Sequence, residues 1–172
     1  MPRRLAAWVI DVVVLTALIF AGASALAALL GPTIRFSPEA ATLASTVTVD
    51  TSRVALSALV STSLSGAYFV IPWVVLGASP GQLLLNIQVH GEAGGGALPP
   101  GRAIARWVLL LPPFGAVAAL AVGAPSLSGL VWGSAPAWYL ILLLTTVRSP
   151  MRQGLHDRIA RSTVRPRAGE NA

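Results

Sequence analysis

The residues able to do acid–base or ionic chemistry are few, and the most telling is an acid inside an apolar run. Asp11 is the only charged residue of the 26-residue stretch Leu5–Leu30 (LAAWVIDVVVLTALIFAGASALAALL). A charged side chain at the centre of a bilayer costs ~2.5–3.5 kcal/mol on insertion scales, so an acid there calls for a partner or a task. Arg4 stands seven positions earlier. Two helical turns place the two on nearly one face, ~10 Å apart along the axis, too far for contact without long reach or a third group. Near the other end of the chain, Asp157 offers a second carboxylate, with His156 beside it. Two readings of Arg4, Asp11 and Asp157 stand side by side. In one, Asp11 binds a proton or a cation, with Asp157 as a second carboxylate. In the other, Asp157 pairs with Arg4 and pins the tail against the first span, as buried pairs do when they set register. His156, as a relay for protons or as an interfacial cap, and Arg106 are secondary candidates.

The rest of the inventory narrows the chemistry. All 12 basic residues are arginine, which stays protonated, so no lysine proton carrier exists. There is no cysteine, which removes disulfides, thiolate metal sites and thiol redox chemistry. His90 has no metal partner in its neighbourhood of sequence. No paired-carboxylate cleft, activated nucleophile or metal cluster is legible, so the expectation is a protein that is not an enzyme and carries no metal or cofactor. The run Gly94-Gly95-Gly96 lacks the lysine and hydroxyl residue of a phosphate loop. A net charge of +6 would suit nucleic acid, but the arginines flank apolar stretches instead of forming one patch with interleaved aromatics, so no nucleic-acid partner is expected.

The elements that must position these residues are membrane spans. With 55% hydrophobic and 10% charged residues in 172, the chain is too apolar for a soluble fold of its size. Four spans are predicted, at about 5–30, 54–77, 103–122 and 128–147. Pro112-Pro113 should kink the third, and Pro72 and Pro136 should bend the second and fourth. The start has signal-peptide features, but its apolar run is long, contains Asp11 and is followed by further spans, so it reads as retained. Arg3 and Arg4, Arg102 and Arg106, and the six arginines from Arg148 to Arg167 fall on one side, against Arg35 and Arg53 on the other. The positive-inside rule then sets both termini in the cytoplasm. Trp8, Tyr68, Trp73 and Trp107 fall near the cytoplasmic interface as an aromatic belt, and Trp132 near the outer one.

Between the spans, Ser37-Pro38-Glu39 reads as a helix start in the outer loop, and Thr46–Val49 alternates weakly like a strand. The cytoplasmic loop 78–101 predicts a small β-hairpin: Leu83–His90 as one strand, Gly91–Gly96 as the turn, and Ala97–Leu98 starting the return. After Arg148, Met151, Leu155 and Ile159 share one face of a predicted amphipathic helix at the cytoplasmic interface. Ser57, Ser61, Ser65, Thr62 and Gly66 line the second span, either as hydroxyl ligands or as small residues that let helices pack closely. Gly129 and Gly133 read in the same way, with a homodimer contact as the alternative.

Three segments together resemble the RDD family of bacterial membrane proteins: Arg4-Leu-Ala-Ala-Trp-Val-Ile-Asp11; Gly77-Ala-Ser-Pro-Gly81-Gln82 with the following Leu-Leu-Leu-Asn-Ile-Gln-Val89 and then Arg102–Arg106; and Gln153-Gly-Leu-His156-Asp157-Arg-Ile-Ala160. They follow in the expected order over nearly the whole chain. Where the family often carries a lysine after the glycine, this chain has Gln82. The resemblance maps the arginine and two aspartates of the family's name onto Arg4, Asp11 and Asp157. It implies an all-α membrane domain over residues 4–165, followed by a short cytoplasmic tail at 166–172. It further implies a transporter or transport-associated protein of unspecified ligand, some members looking like cation/proton antiporters. The expected place is the inner cell membrane. The expected partners are the lipid bilayer, a cation or proton, and either a second copy or a membrane partner protein, because four short spans are few for a solitary transporter. The alternative from another class is a non-transporting scaffold or accessory subunit in which the three charges are structural.

Overall fold

The computed structural model describes residues 2–36, 47–91, 97–110, 128–149 and 153–166. The elements run α1 (Pro2–Leu30), β1 (Ile34–Phe36), β2 (Val47–Val49), α2 (Thr51–Val75), α3 (Pro80–Leu84), β3 (Ile87–Gly91), α4 (Pro100–Leu110), α5 (Ser128–Arg148), α6 (Leu155–Ile159) and β4 (Ser162–Pro166). The fold is mainly helical, with two small antiparallel strand pairs, β1 with β2 and β3 with β4.

Both α1 and α2 are long and apolar enough to cross a membrane. Buried residues make up only 6% of the most apolar window of α1 and 17% of that of α2. The core helix of a soluble protein would hide that surface. Here Val13, Phe20 and Leu29 of α1 and Leu59, Ile71 and Val75 of α2 stay exposed, as side chains do when hydrocarbon is the solvent. On α5, Leu140, Leu143 and Val147 are exposed in the same way. The predicted third span begins as α4; its remainder, with Pro112-Pro113, lies outside the described residues, as do Ser37-Pro38-Glu39, the glycine turn and the side chains of Gly129, Trp132 and Gly133.

Asp50 starts α2. Its carboxylate accepts from the Arg53 amide at 3.2 Å and pairs with Arg53 Nε at 3.0 Å. That backbone hydrogen bond is the main reason its pKa lies below the ordinary aspartate value. The cap adds three residues to the predicted start of the span. Along the serine stripe of α2, Ser61 Oγ donates to the Ser57 carbonyl, Ser65 Oγ to the Thr62 carbonyl, and Trp107 Nε1 of α4 to Ser65 Oγ at 3.2 Å. The Trp107 ring lies over Gly66, where an added Cβ would meet it at 3.4 Å.

Two predicted elements form differently. The hairpin in loop 78–101 is replaced by a pairing across the chain: β3 pairs with β4, Ile87 opposite Pro166 through Gly91 opposite Ser162. Ala97–Leu98 cannot continue a return strand, because Pro99-Pro100 follow and proline has no amide to donate. Leu98 instead packs into the core at 1% exposure, beside Ile87, Val89, Ala103 and Val164. Residues in the left-handed region precede each strand, Asn86 (φ 53°) before β3 and Arg161 (φ 47°) before β4. The predicted amphipathic tail helix shortens to the five residues of α6 and gives way to β4, where buried Ser162 and Val164 alternate with half-buried Thr163 and exposed Arg165 as in a strand. The aromatic belt is also only partly formed. Trp8 is 39% exposed, but Trp73 is 1% exposed and Tyr68 turns inward to an acid. Tyr68 meets Phe69 edge to face at 5.0 Å between centroids, and Phe69 meets Trp73 at a 38° tilt and 5.2 Å.

Candidate functional site

The start of α1, the end of α2, the start of α4 and the tail all meet at one end of the bundle, because α1 and α4 enter there, α2 leaves there and α5 delivers the tail there. Every candidate charge lies at that end.

Asp11 is 3% exposed and is held by three donors. Tyr68 Oη donates to Oδ1 at 2.9 Å, the Gly81 amide to Oδ1 at 2.7 Å, and Ser79 Oγ to Oδ2 at 2.5 Å. The loop after α2 is shaped for this. Gly77 (φ +68°) turns the chain, and Pro80 begins α3 directly after Ser79. Gln82 Oε1 accepts from the Ser79 amide at 2.9 Å and from Trp73 Nε1 at 3.1 Å. Gln82, where the family often has a cation, is thus a capping side chain that ties α3 to α2. This loop supplies Asp11 with neutral donors.

Asp157, also 3% exposed, receives its ion pair from Arg106, Nη2 to Oδ1 at 2.8 Å. Ser162 Oγ reaches the same oxygen at 3.5 Å, as does His156 Nε2. Arg4 reaches across the bundle to donate to the Val164 carbonyl of β4. Two guanidiniums therefore hold the tail, Arg106 through the carboxylate and Arg4 through the strand. The pin was expected from an Arg4–Asp157 pair; the cation shown on Asp157 is Arg106.

The Arg106 guanidinium lies over the Trp73 ring, 4.8 Å from its centroid. Its Nε and Nη1 are fully buried and meet no hydrogen-bond acceptor. His156 Nδ1 is likewise buried without a partner. Burial pushes the His156 pKa down to about 4; Asp157 opposes that shift, while Arg106 and Arg4 add to it. His156 is therefore neutral at pH 7, able to accept a proton only at a cost. Among the described residues, no three His, Cys, Asp or Glu side chains converge as a metal site.

Sequence reasoning found Asp11, Asp157, Arg4, His156 and Arg106 but not the cage around Asp11. In the sequence Tyr68 reads as an interfacial aromatic, and Ser79 and Gly81 only as members of a motif. The available signal was Ser79-Pro80, a helix start placed in the loop that follows the second span.

The sequence model of the RDD family matches residues 1–161, nearly the whole chain. No curated protein matches the chain, and no solved structure does. The matched region contains Arg4, Asp11, Arg106 and Asp157 together with the exposed apolar helices that suit a membrane, and the chain belongs to the RDD family.

Proposed function

We propose that this chain is a multi-pass protein of the inner cell membrane, with four spans and both termini in the cytoplasm, that moves an ion or small solute or assists a partner in doing so. The observation that carries this reading is the concentration of buried charge at one end of an otherwise apolar bundle. Asp11, Arg106 and Asp157 are each 3% exposed. Ionisable groups at such depth are expensive, and they typically mark ligand or proton pathways. The arginine asymmetry puts this end in the cytoplasm. Arg4, Asp11 and Asp157, with Arg106 and His156, form its ligand end, and a second copy or a membrane partner completes the pathway.

A scaffold or accessory-subunit reading draws on a different observation. Asp11 already accepts from three donors, and each contact ties α1 to a segment 57 to 70 residues away. Such a carboxylate is a good latch.

Flux of H⁺, Na⁺ and K⁺ in proteoliposomes containing only this protein separates the two. Asn can replace Asp11 in shape, since the Ser79 hydroxyl can turn to accept from its amide, but Asn neither titrates nor carries charge. Asp11→Asn is expected to insert normally and to lose proton-coupled flux, and Asp11→Glu to keep some flux with a shifted pH optimum. Full flux in Asp11→Asn at every pH would remove Asp11 as the coupling site. Wild-type protein silent for all three ions would favour the scaffold.

A further inference from the structure

We propose that Arg106 is the anchor of a binding site for a phosphate oxyanion, either free or as the headgroup of an anionic lipid. The inference rests on reading the charged end as the ligand end, and it names the class of ligand.

Arginine presents five N–H donors in a planar fork. Here only Nη2 is engaged, by a single carboxylate oxygen. Nε and Nη1 are buried and meet no acceptor, although the side chain is only 3% exposed. A buried polar group without a partner calls for an explanation such as a water or an ion, and for a guanidinium the fitting one is an oxyanion. Three further observations favour that occupant. Asp157 Oδ1 is shared among Arg106, Ser162 and His156, so it holds the guanidinium at one point and leaves the rest of the fork to another acceptor. Arg4 lies close enough to act as a second positive charge on both Arg106 and His156. The guanidinium carbon lies over the Trp73 ring, a contact that uses none of its N–H groups. A compact cation would meet repulsion at the same place.

Asp157 competes with the anion for Arg106, which gives a test with a sign. Full-length protein in a neutral maltoside detergent is titrated with inorganic phosphate by calorimetry. In a second arm, thermal stability is compared in nanodiscs of zwitterionic lipid with and without phosphatidylglycerol. Saturable phosphate heat, roughly tenfold tighter in Asp157→Asn as expected for removal of one competing charge, supports a free oxyanion. Stabilisation by phosphatidylglycerol without phosphate heat supports a headgroup. Either signal should be lost in the neutral pair Arg106→Gln/Asp157→Asn, which leaves no buried charge behind. It should be weakened in Arg106→Lys, which keeps the ion pair but lacks the fork. Absence of both signals in the wild type, or their persistence in the neutral pair, overturns the proposal. Binding in a protein silent for H⁺, Na⁺, K⁺ and phosphate flux would sink the transport reading alone, and flux without binding would sink this inference alone.

Discussion

The backbone of Gly81 is pressed against the carboxylate of Asp11. Its amide donates to Oδ1 at 2.7 Å, and a Cβ built on it would stand 2.8 Å from the same oxygen and closer still to the Ala7 carbonyl. The approach is possible only because residue 81 has no side chain, and it brings the loop after α2 against the first helix.

Gly81→Ala is therefore expected to push α3 away from α1. Overpacking of this kind typically costs ~1–3 kcal/mol. Reversible unfolding in mixed micelles should show that loss, accompanied by weaker protection of the loop from proteolysis. Wild-type stability in Gly81→Ala would mean that the two segments do not approach so closely.

The Arg106–Asp157 pair predicts strongly non-additive variants. Removing either partner leaves a buried charge uncompensated, at ~3–5 kcal/mol by analogy with soluble interiors. Arg106→Gln and Asp157→Asn should each destabilise the protein, and the double variant should recover much of the loss. A double-mutant cycle with simple additivity would separate Arg106 from Asp157.

His156 predicts a pH dependence. Its folded-state pKa is about 4 against the ordinary histidine value of 6.5 in the unfolded chain, so between those values the unfolded chain binds a proton that the folded one refuses. Stability contributed by neutral His156 is complete above pH 6.5 and is lost as pH falls towards 4, by ~3 kcal/mol in all. Melting temperature measured from pH 7.5 to 4 should fall across that window, and His156→Gln should flatten the fall. An equal slope in His156→Gln would assign the effect to other groups.

The membrane topology has a labelling test. Single cysteines are placed at Ser45, Gly95 and Ala168. An impermeant maleimide added to intact cells should reach position 45, and the other two only after lysis. Labelling of position 95 from outside would reverse the orientation and break the four-span arrangement.

Much of the architecture was open to reading in one dimension. Continuous apolar runs located α1, α2 and α5 to within a few residues, because a span is dictated by local composition and length alone. The three loose motifs, in order, pointed to the RDD family. Asp11 and Asp157 stood out because an acid in or beside a span is costly wherever it points. The pairings were a different matter. Strand β3 could have closed on its own neighbour, and it found β4 more than 70 residues later because Pro99-Pro100 bar the local return and Val164 fits beside Val89. On paper Arg4 is the partner expected for Asp157 and Arg106 a secondary candidate, and it is the packing of α4 against α6 that carries Arg106 to the Asp157 carboxylate. The donors around Asp11 come from residues 68, 79 and 81, and no periodicity links them to position 11. Hydrophobic periodicity and length are local properties that a sequence displays directly. Which buried charge meets which donor depends on how separate helices pack, and that is decided only when distant segments must satisfy their polar groups in the same dry space.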